Sequence, residues 1–191
     1  MRVTPQATMR LLDRVLIGTL FLIALLLLGI ELARAGEIVP SVGWSHATDQ
    51  AGGPGAMFGG LALRTGLLPM VKSEIGVAYR SEKLDDGSKL RMTPVTASLW
   101  FAPVPTLYAG GGIGWYNTSL QRPSGSPLAD QHTQRMGTHL GGGFLFPIVP
   151  ALASLDFGGR YVFLDRTSFA GLTKAKADFW SVSAGVALKL F

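Results

Sequence analysis

Cysteine is absent from all 191 residues, and that closes several routes at once. A chain without thiols has no disulfide brace, no cysteine-based metal site and no N-terminal cysteine to carry a lipid. Charge is also sparse, with Asp, Glu, Lys and Arg together at 15% and a net charge of +5. A surplus that mild argues against nucleic acid as a partner. Histidine is limited to His46, His132 and His139, so a histidine-rich metal centre is not expected. No cofactor motif is present.

What is there begins with one long apolar run. Arg2, Arg10 and Arg14 precede Val15 to Ile30, and Ala33-Arg34-Ala35 follows. A basic front, an apolar middle and a small-x-small end describe a helical secretory signal peptide over residues 1–35, cleaved before Gly36. An uncleaved anchor is the alternative, but the run is short for a bilayer span. Met9 would also serve as the start, since Met9 to Ala35 is still a complete signal. Cleavage removes four arginines (Arg2, Arg10, Arg14, Arg34) and two acids (Asp13, Glu31), so the charge falls from +5 to +3. Residues 36–191 then suffice for one domain. An exported domain without disulfides needs another brace, and an unbroken ring of backbone hydrogen bonds would supply it.

The stretch Arg135 to Leu164, RMGTHLGGGFLFPIVPALASLDFGGRYVFL, shows how such a ring is encoded. Its residues alternate with a period of two, the mark of a strand with two different faces. Met136, Thr138, Leu140, Gly142, Phe144 and Phe146 oppose Arg135, Gly137, His139, Gly141 and Gly143. After a turn at Pro147 to Pro150, Ala153, Leu155, Phe157, Gly159, Tyr161 and Phe163 oppose Ser154, Asp156, Gly158 and Arg160. The bulk lies on the apolar face, while glycine and isolated charges share the other. A barrel whose outside is the greasy side has lipid for its solvent.

Six more alternating segments are expected: Glu37 to His46, Phe58 to Leu67, Val71 to Arg80, Lys89 to Phe101, Thr106 to Asn117 and Ala177 to Phe191. The connections between the eight alternate strictly. Those after the first, third, fifth and seventh strands are long and polar (47–57, 81–88, 118–134, 165–176). Those after the second, fourth and sixth are short and carry proline (68–70, 102–105, 147–150). Long surface loops and tight periplasmic turns are the asymmetry of an outer-membrane barrel. The predicted class is therefore all-β, an eight-stranded antiparallel up-and-down transmembrane β-barrel spanning residues 36–191.

Two sets of residues follow from the phase. Outward aromatics fall into two tiers, with Trp44, Tyr79, Trp115, Tyr161, Phe163 and Trp180 toward the long loops and Phe101, Phe144 and Phe146 toward the short turns. Amphipathic rings favour the two membrane interfaces. Inward phase collects Glu37, Arg64, Lys72, Glu74, Arg80, His139, Asp156, Arg160 and Lys189. An eight-stranded lumen is only wide enough for side chains to fill it, so these charges are expected to pair. The inward glycines Gly110, Gly112, Gly114, Gly141 and Gly143 thin one wall. They would either open a narrow pathway or make room for Tyr108, Trp100 or Arg160.

YAGGGIGWY at Tyr108 to Tyr116, the hairpin His139 to Phe163 and the final Phe191 give the chain a resemblance to a known group. It resembles the small eight-stranded outer-membrane β-barrels, including OmpA-type, OmpX-type and OmpW-like porin-family proteins. The resemblance covers residues 36–191 and is specific for architecture more than for activity. It implies residence in the outer membrane of a Gram-negative cell envelope, insertion by the barrel assembly machinery, and contact with outer-membrane lipids and lipopolysaccharide. In the family the terminal aromatic shares the lipid-facing phase. Here the apolar phase is Trp180, Val182, Ala184, Val186, Leu188 and Leu190, which leaves Phe191 in phase with Lys189.

The function expected is non-enzymatic, a structural or surface-interaction role carried by four loops. A narrow porin-like channel for small solutes is the alternative, and a lipid-modifying enzyme a more remote one. Lipid A deacylase barrels show a His-x-Ser arrangement, whereas the three histidine segments here read HAT, HTQ and HLG. Asp130 and His132 share a loop with Ser124 and Ser126, but a loop rich in proline does not preorganise a catalytic group. No catalytic, cofactor-binding or metal-binding residue is assigned.

Overall fold

The computed structural model describes residues 36–48, 55–83, 88–122, 130–164 and 178–190. They form eight strands: β1 (Glu37–Ala47), β2 (Ala56–Leu68), β3 (Val71–Lys83), β4 (Lys89–Val104), β5 (Leu107–Gln121), β6 (Gln131–Val149), β7 (Ala153–Leu164) and β8 (Phe179–Lys189). Each pairs antiparallel with its neighbours in sequence, and β1 pairs with β8, so the sheet closes. Closure removes both edges, leaving no row of unpaired backbone groups to satisfy. At the seam Leu190 N donates to Gly36 O at 2.6 Å. The predicted signal peptide over residues 1–35 lies outside the described residues, as do residues 49–54, 84–87, 123–129, 165–177 and Phe191.

The registers define the shape of the barrel. Paired residues lead from Glu37 through Arg64, Glu74, Ser98, Gly112, His139, Val162 and Phe179 back to β1 at Ala47, ten residues beyond the start. In a closed eight-stranded sheet that offset corresponds to strands tilted by about 40° from the axis. The last strand keeps its apolar phase outward: Val182 is 49% exposed and Leu188 41%, whereas Ala187 is buried.

Sidedness is uniform around the wall. Leu140, Phe144 and Leu99 stand exposed on the outside, while Trp100, Glu74 and His139 are buried within. Two apolar clusters fill the interior. Val39, Trp100, Tyr108, Leu145 and Ala187 form the first, and Tyr116, Val162, Leu164 and Phe179 with Met92 form the second. The short turns are tight enough to force left-handed backbone on two residues other than glycine, Met70 (φ 67°) and Ala151 (φ 61°).

Several strands outrun the bounds expected of them. Strand β3 continues to Lys83, β5 to Gln121, and β6 begins at Gln131 rather than near Arg135. Pairs such as Lys89↔Gln121 and Leu120↔Gln131 carry the ladder on. Above the apolar belt both faces of a strand meet polar surroundings, so alternation fades while backbone pairing persists. At the other end β4 runs through Ala102 and Pro103 to Val104, with an irregularity between Phe101 and Val104 that absorbs the proline.

Candidate functional site

The register row that runs from Glu37 to His139 explains the candidate site. Residues joined along one register row share a face, so Glu37, Arg64, Glu74, Ser98 and His139 all project into the lumen from adjacent strands. Arg64 lies at the centre. Its Nε and Nη2 donate to Glu74 Oε2 at 2.9 and 2.7 Å, and Nη2 also donates to Asp156 Oδ2 on β7 at 2.8 Å. Arg160 Nη2 reaches the other oxygen of Glu74 at 2.5 Å. Tyr108 donates its hydroxyl to Asp156 Oδ1 at 2.6 Å. All four oxygens of the two buried carboxylates therefore hold a donor.

Outside this core Lys72 Nζ lies 3.3 Å from Glu37 Oε1, and Glu37 Oε2 lies 3.9 Å from Arg64 Nη1. Three cations, Arg64, Arg160 and Lys72, thus face three anions, Glu74, Asp156 and Glu37, and the group is neutral. Neutrality matters because a buried charge without a partner is strongly unfavourable. The cations also rest on aromatic faces, Arg64 at 4.7 Å from the Tyr108 ring centre and Arg160 at 5.1 Å from that of Trp100.

Three residues of the inward phase stand apart from the cluster. Arg80 pairs instead with Glu82, two residues along the same strand, at 2.6 Å. His139 shares a 2.9 Å hydrogen bond between Nε2 and Ser98 Oγ and lies tilted beside Trp100. Lys189 sits opposite Glu37 at the seam.

The five inward glycines meet different neighbours. A Cβ on Gly143 would lie 2.5 Å from the Tyr108 hydroxyl, one on Gly141 3.0 Å from Arg160 Cγ, and one on Gly114 2.9 Å from the Tyr116 ring. Gly110 and Gly112 admit the backbone carbonyls of Leu99 and Ala97, as Gly141 and Gly143 also admit those of Gly159 and Phe157. The room left by glycine is thus occupied by rings, a guanidinium stem and neighbouring backbone. Between the charge cluster and the second apolar cluster lies a chamber of about 120 Å³, bordered by Ser45, Thr96, Tyr116, His139, Arg160 and Ser183.

The outward aromatics occupy the outer wall. Trp44, Tyr79, Trp115, Phe163 and Trp180 are exposed toward the long-loop ends of their strands, and Phe101, Phe144 and Phe146 toward the short turns. Tyr161 is half-buried against Phe163, with ring centres 4.7 Å apart.

Chemically, the described residues of the lumen offer no assembled catalytic centre. Ser98 and His139 form a hydroxyl–imidazole pair, but His139 Nδ1 has no partner among the described residues. A catalytic pair needs a third group to orient its base. Asp130 Oδ1 accepts from Arg122 N at 2.9 Å and is exposed, and Ser124 and Ser126 lie outside the described residues. Among the described residues no three His, Asp or Glu side chains converge to hold a metal.

Tyr108 joins the cluster and Ser98 pairs with His139, neither being expected as a polar partner, and Glu82 falls where a loop is expected. Tyr108 carries a usable signal, since it sits on inward phase directly opposite Gly143. A large ring facing glycine across a ladder lies over that glycine and presents its hydroxyl to the lumen.

No protein-family model and no curated protein matches the chain. Solved structures do match. Neisserial surface protein A is similar at 15% identity with a TM-score of 0.61, over 81% of this chain and 97% of that one. Ail of Yersinia pestis, in complex with the heparin analogue sucrose octasulfate, is similar at 12% identity and a TM-score of 0.58, over 82% and 98%. A major outer membrane protein of Thermus thermophilus is similar at 13% identity and a TM-score of 0.51, over 81% and 99%. The closed antiparallel ring, its filled lumen and these likenesses agree that the chain has the fold of the small eight-stranded outer-membrane β-barrels.

Proposed function

We propose that this chain is an integral outer-membrane protein with a non-enzymatic role, structural or in surface interaction through its four long connections. The observation that carries this reading is sidedness. Exposed apolar side chains ring the outer wall between two tiers of aromatics, and Arg64, Glu74 and Asp156 are withdrawn into the lumen. In water such a wall would be a very large apolar patch, whereas in hydrocarbon it is the surface expected. Residues 1–35 act as the export signal on this reading, removed before Gly36, and insertion falls to the barrel assembly machinery. Outer-membrane lipids and lipopolysaccharide surround the wall. The filled lumen supports a static barrel over a pore, because Trp100, Tyr108 and Leu145 in one cluster and Tyr116 and Phe179 in another occupy the interior.

A narrow channel for small solutes is the second reading, favoured by the chamber beside Arg160. Refolded protein in planar bilayers separates the two. Silence is expected for the static barrel, and discrete conductance steps would replace it with the channel. The membrane claim itself is tested by flotation with liposomes and by circular dichroism without detergent. A soluble β fold there would end it, and N-terminal sequencing of the exported protein is expected to begin at Gly36.

A further inference from the structure

The outer wall is not uniform at the long-loop end. On β7, β8, β1 and β2 the outward residues there are Phe163, Tyr161, Trp180, Trp44, His46 and Met57, with no lysine or arginine among the described residues. Strands β3 to β6 continue further, and their outward phase beyond Tyr79, Val95 and Trp115 becomes polar and cationic. Arg91 and Lys89 follow Val95 and Thr93 on the outer face of β4, two residues apart and so about 7 Å from one another. Arg91 stands opposite Ser81 on one side and Ser119 on the other, and Lys89 opposite Lys83 and Gln121. His132 stands beside Ser119. Among the described residues the nearest acids are turned away or engaged, Glu82 inward to Arg80 and Asp130 to the Arg122 amide. Arg91 Nε is buried and has no hydrogen-bond partner among the described residues.

We infer that Arg91 and Lys89, with the hydroxyls of Ser81 and Ser119, form a site for the phosphate of an outer-leaflet glycolipid of the lipid A type. This rests on the membrane reading above. The argument is one of height and charge. A cationic patch directly above an aromatic tier, and facing away from the barrel axis, lies where the headgroups of surrounding lipid lie. Guanidinium and ammonium groups flanked by hydroxyls match a phosphate monoester in charge and in donors. A headgroup of the surrounding lipid is level with these side chains, which favours lipid over a soluble partner as the occupant.

The test titrates refolded protein in uncharged micelles with diphosphorylated lipid A, with the same lipid dephosphorylated, and with sucrose octasulfate. Wild type is expected to prefer the diphosphorylated lipid. Lys89→Gln/Arg91→Gln is expected to bind it at least about tenfold more weakly, two surface cations having been lost. Lys89→Arg/Arg91→Lys is expected to retain most of the affinity. Equal binding by wild type and the glutamine variant would overturn the site, as would equal affinity for the dephosphorylated lipid. Binding of sucrose octasulfate at Arg91 without lipid preference would reassign it to a soluble polyanion. Flotation with liposomes is run in parallel. A protein that fails to float loses both readings, while one that floats without phosphate preference loses only this one.

Discussion

The Tyr108 hydroxyl and the Asp156 carboxylate meet at 2.6 Å in the lumen, joining β5 to β7 past the strand between them. The same ring carries Arg64 on its face. One aromatic side chain thus serves both signs of the cluster. Tyr108→Phe keeps the ring and deletes the donor, leaving Asp156 Oδ1 buried without its proton. Urea unfolding in a lipid bilayer, followed by the gel mobility of folded and unfolded forms, is expected to show a loss of about 1–3 kcal/mol. Unchanged stability would remove Tyr108 from the cluster.

Arg64 is the hub, so breaking it and dissolving it are different experiments. Arg64→Ala or Glu74→Ala alone leaves an uncompensated buried charge, and each is expected to destabilise the barrel by about 3–5 kcal/mol. The double variant is expected to cost well under the sum of the two, with a coupling energy of about 1–3 kcal/mol in the thermodynamic cycle. Simple additivity would mean that the 2.7 Å contact contributes no specific coupling.

Glycines at two kinds of position should respond in opposite ways. A Cβ at Gly143 would meet the Phe157 carbonyl as well as the Tyr108 hydroxyl, and a Cβ at Gly59 would meet nothing within 4 Å. Gly143→Ala is expected to destabilise by about 1–3 kcal/mol through overpacking. Gly59→Ala is expected to be neutral or to stabilise by up to about 1 kcal/mol, since it restricts only the unfolded chain. Midpoints from the same urea titration check both, and equal effects would contradict the packing described here.

The outer wall can be tested with a charge. Ile113 is 45% exposed in the middle of β5. Ile113→Arg is expected to destabilise the bilayer-embedded protein by about 2–4 kcal/mol. In a water-soluble barrel the same change would fall within the small range of surface substitutions. Equal stability of wild type and variant in bilayers would place Ile113 outside hydrocarbon.

Much of this architecture is legible in the sequence because a strand's two faces differ so strongly here. Phe144 and Asp156 announce their sides through their neighbours at i±2, and the glycine runs of β5 and β6 mark a crowded inner wall. Pairing across the lumen is less legible. Arg64 reaches Asp156 only because the strands tilt, and tilt is a property of the closed ring that no single strand carries. Arg80 illustrates the same limit from the other side, since a local partner at Glu82 competes with the distant cluster. Strand ends at β5 and β6 are hidden because polar residues on both faces look like loop even while their backbones pair. Ser98 gives no warning as a partner, because an inward serine is ordinary until His139 is found facing it, two strands away.

The seam between β1 and β8 makes the order of the strands cyclic. With Gly36 and Leu190 hydrogen-bonded side by side, a linker of a few residues would join them without disturbing any ladder. A circularly permuted chain opened at any long connection should then rebuild the same wall and the same buried ions.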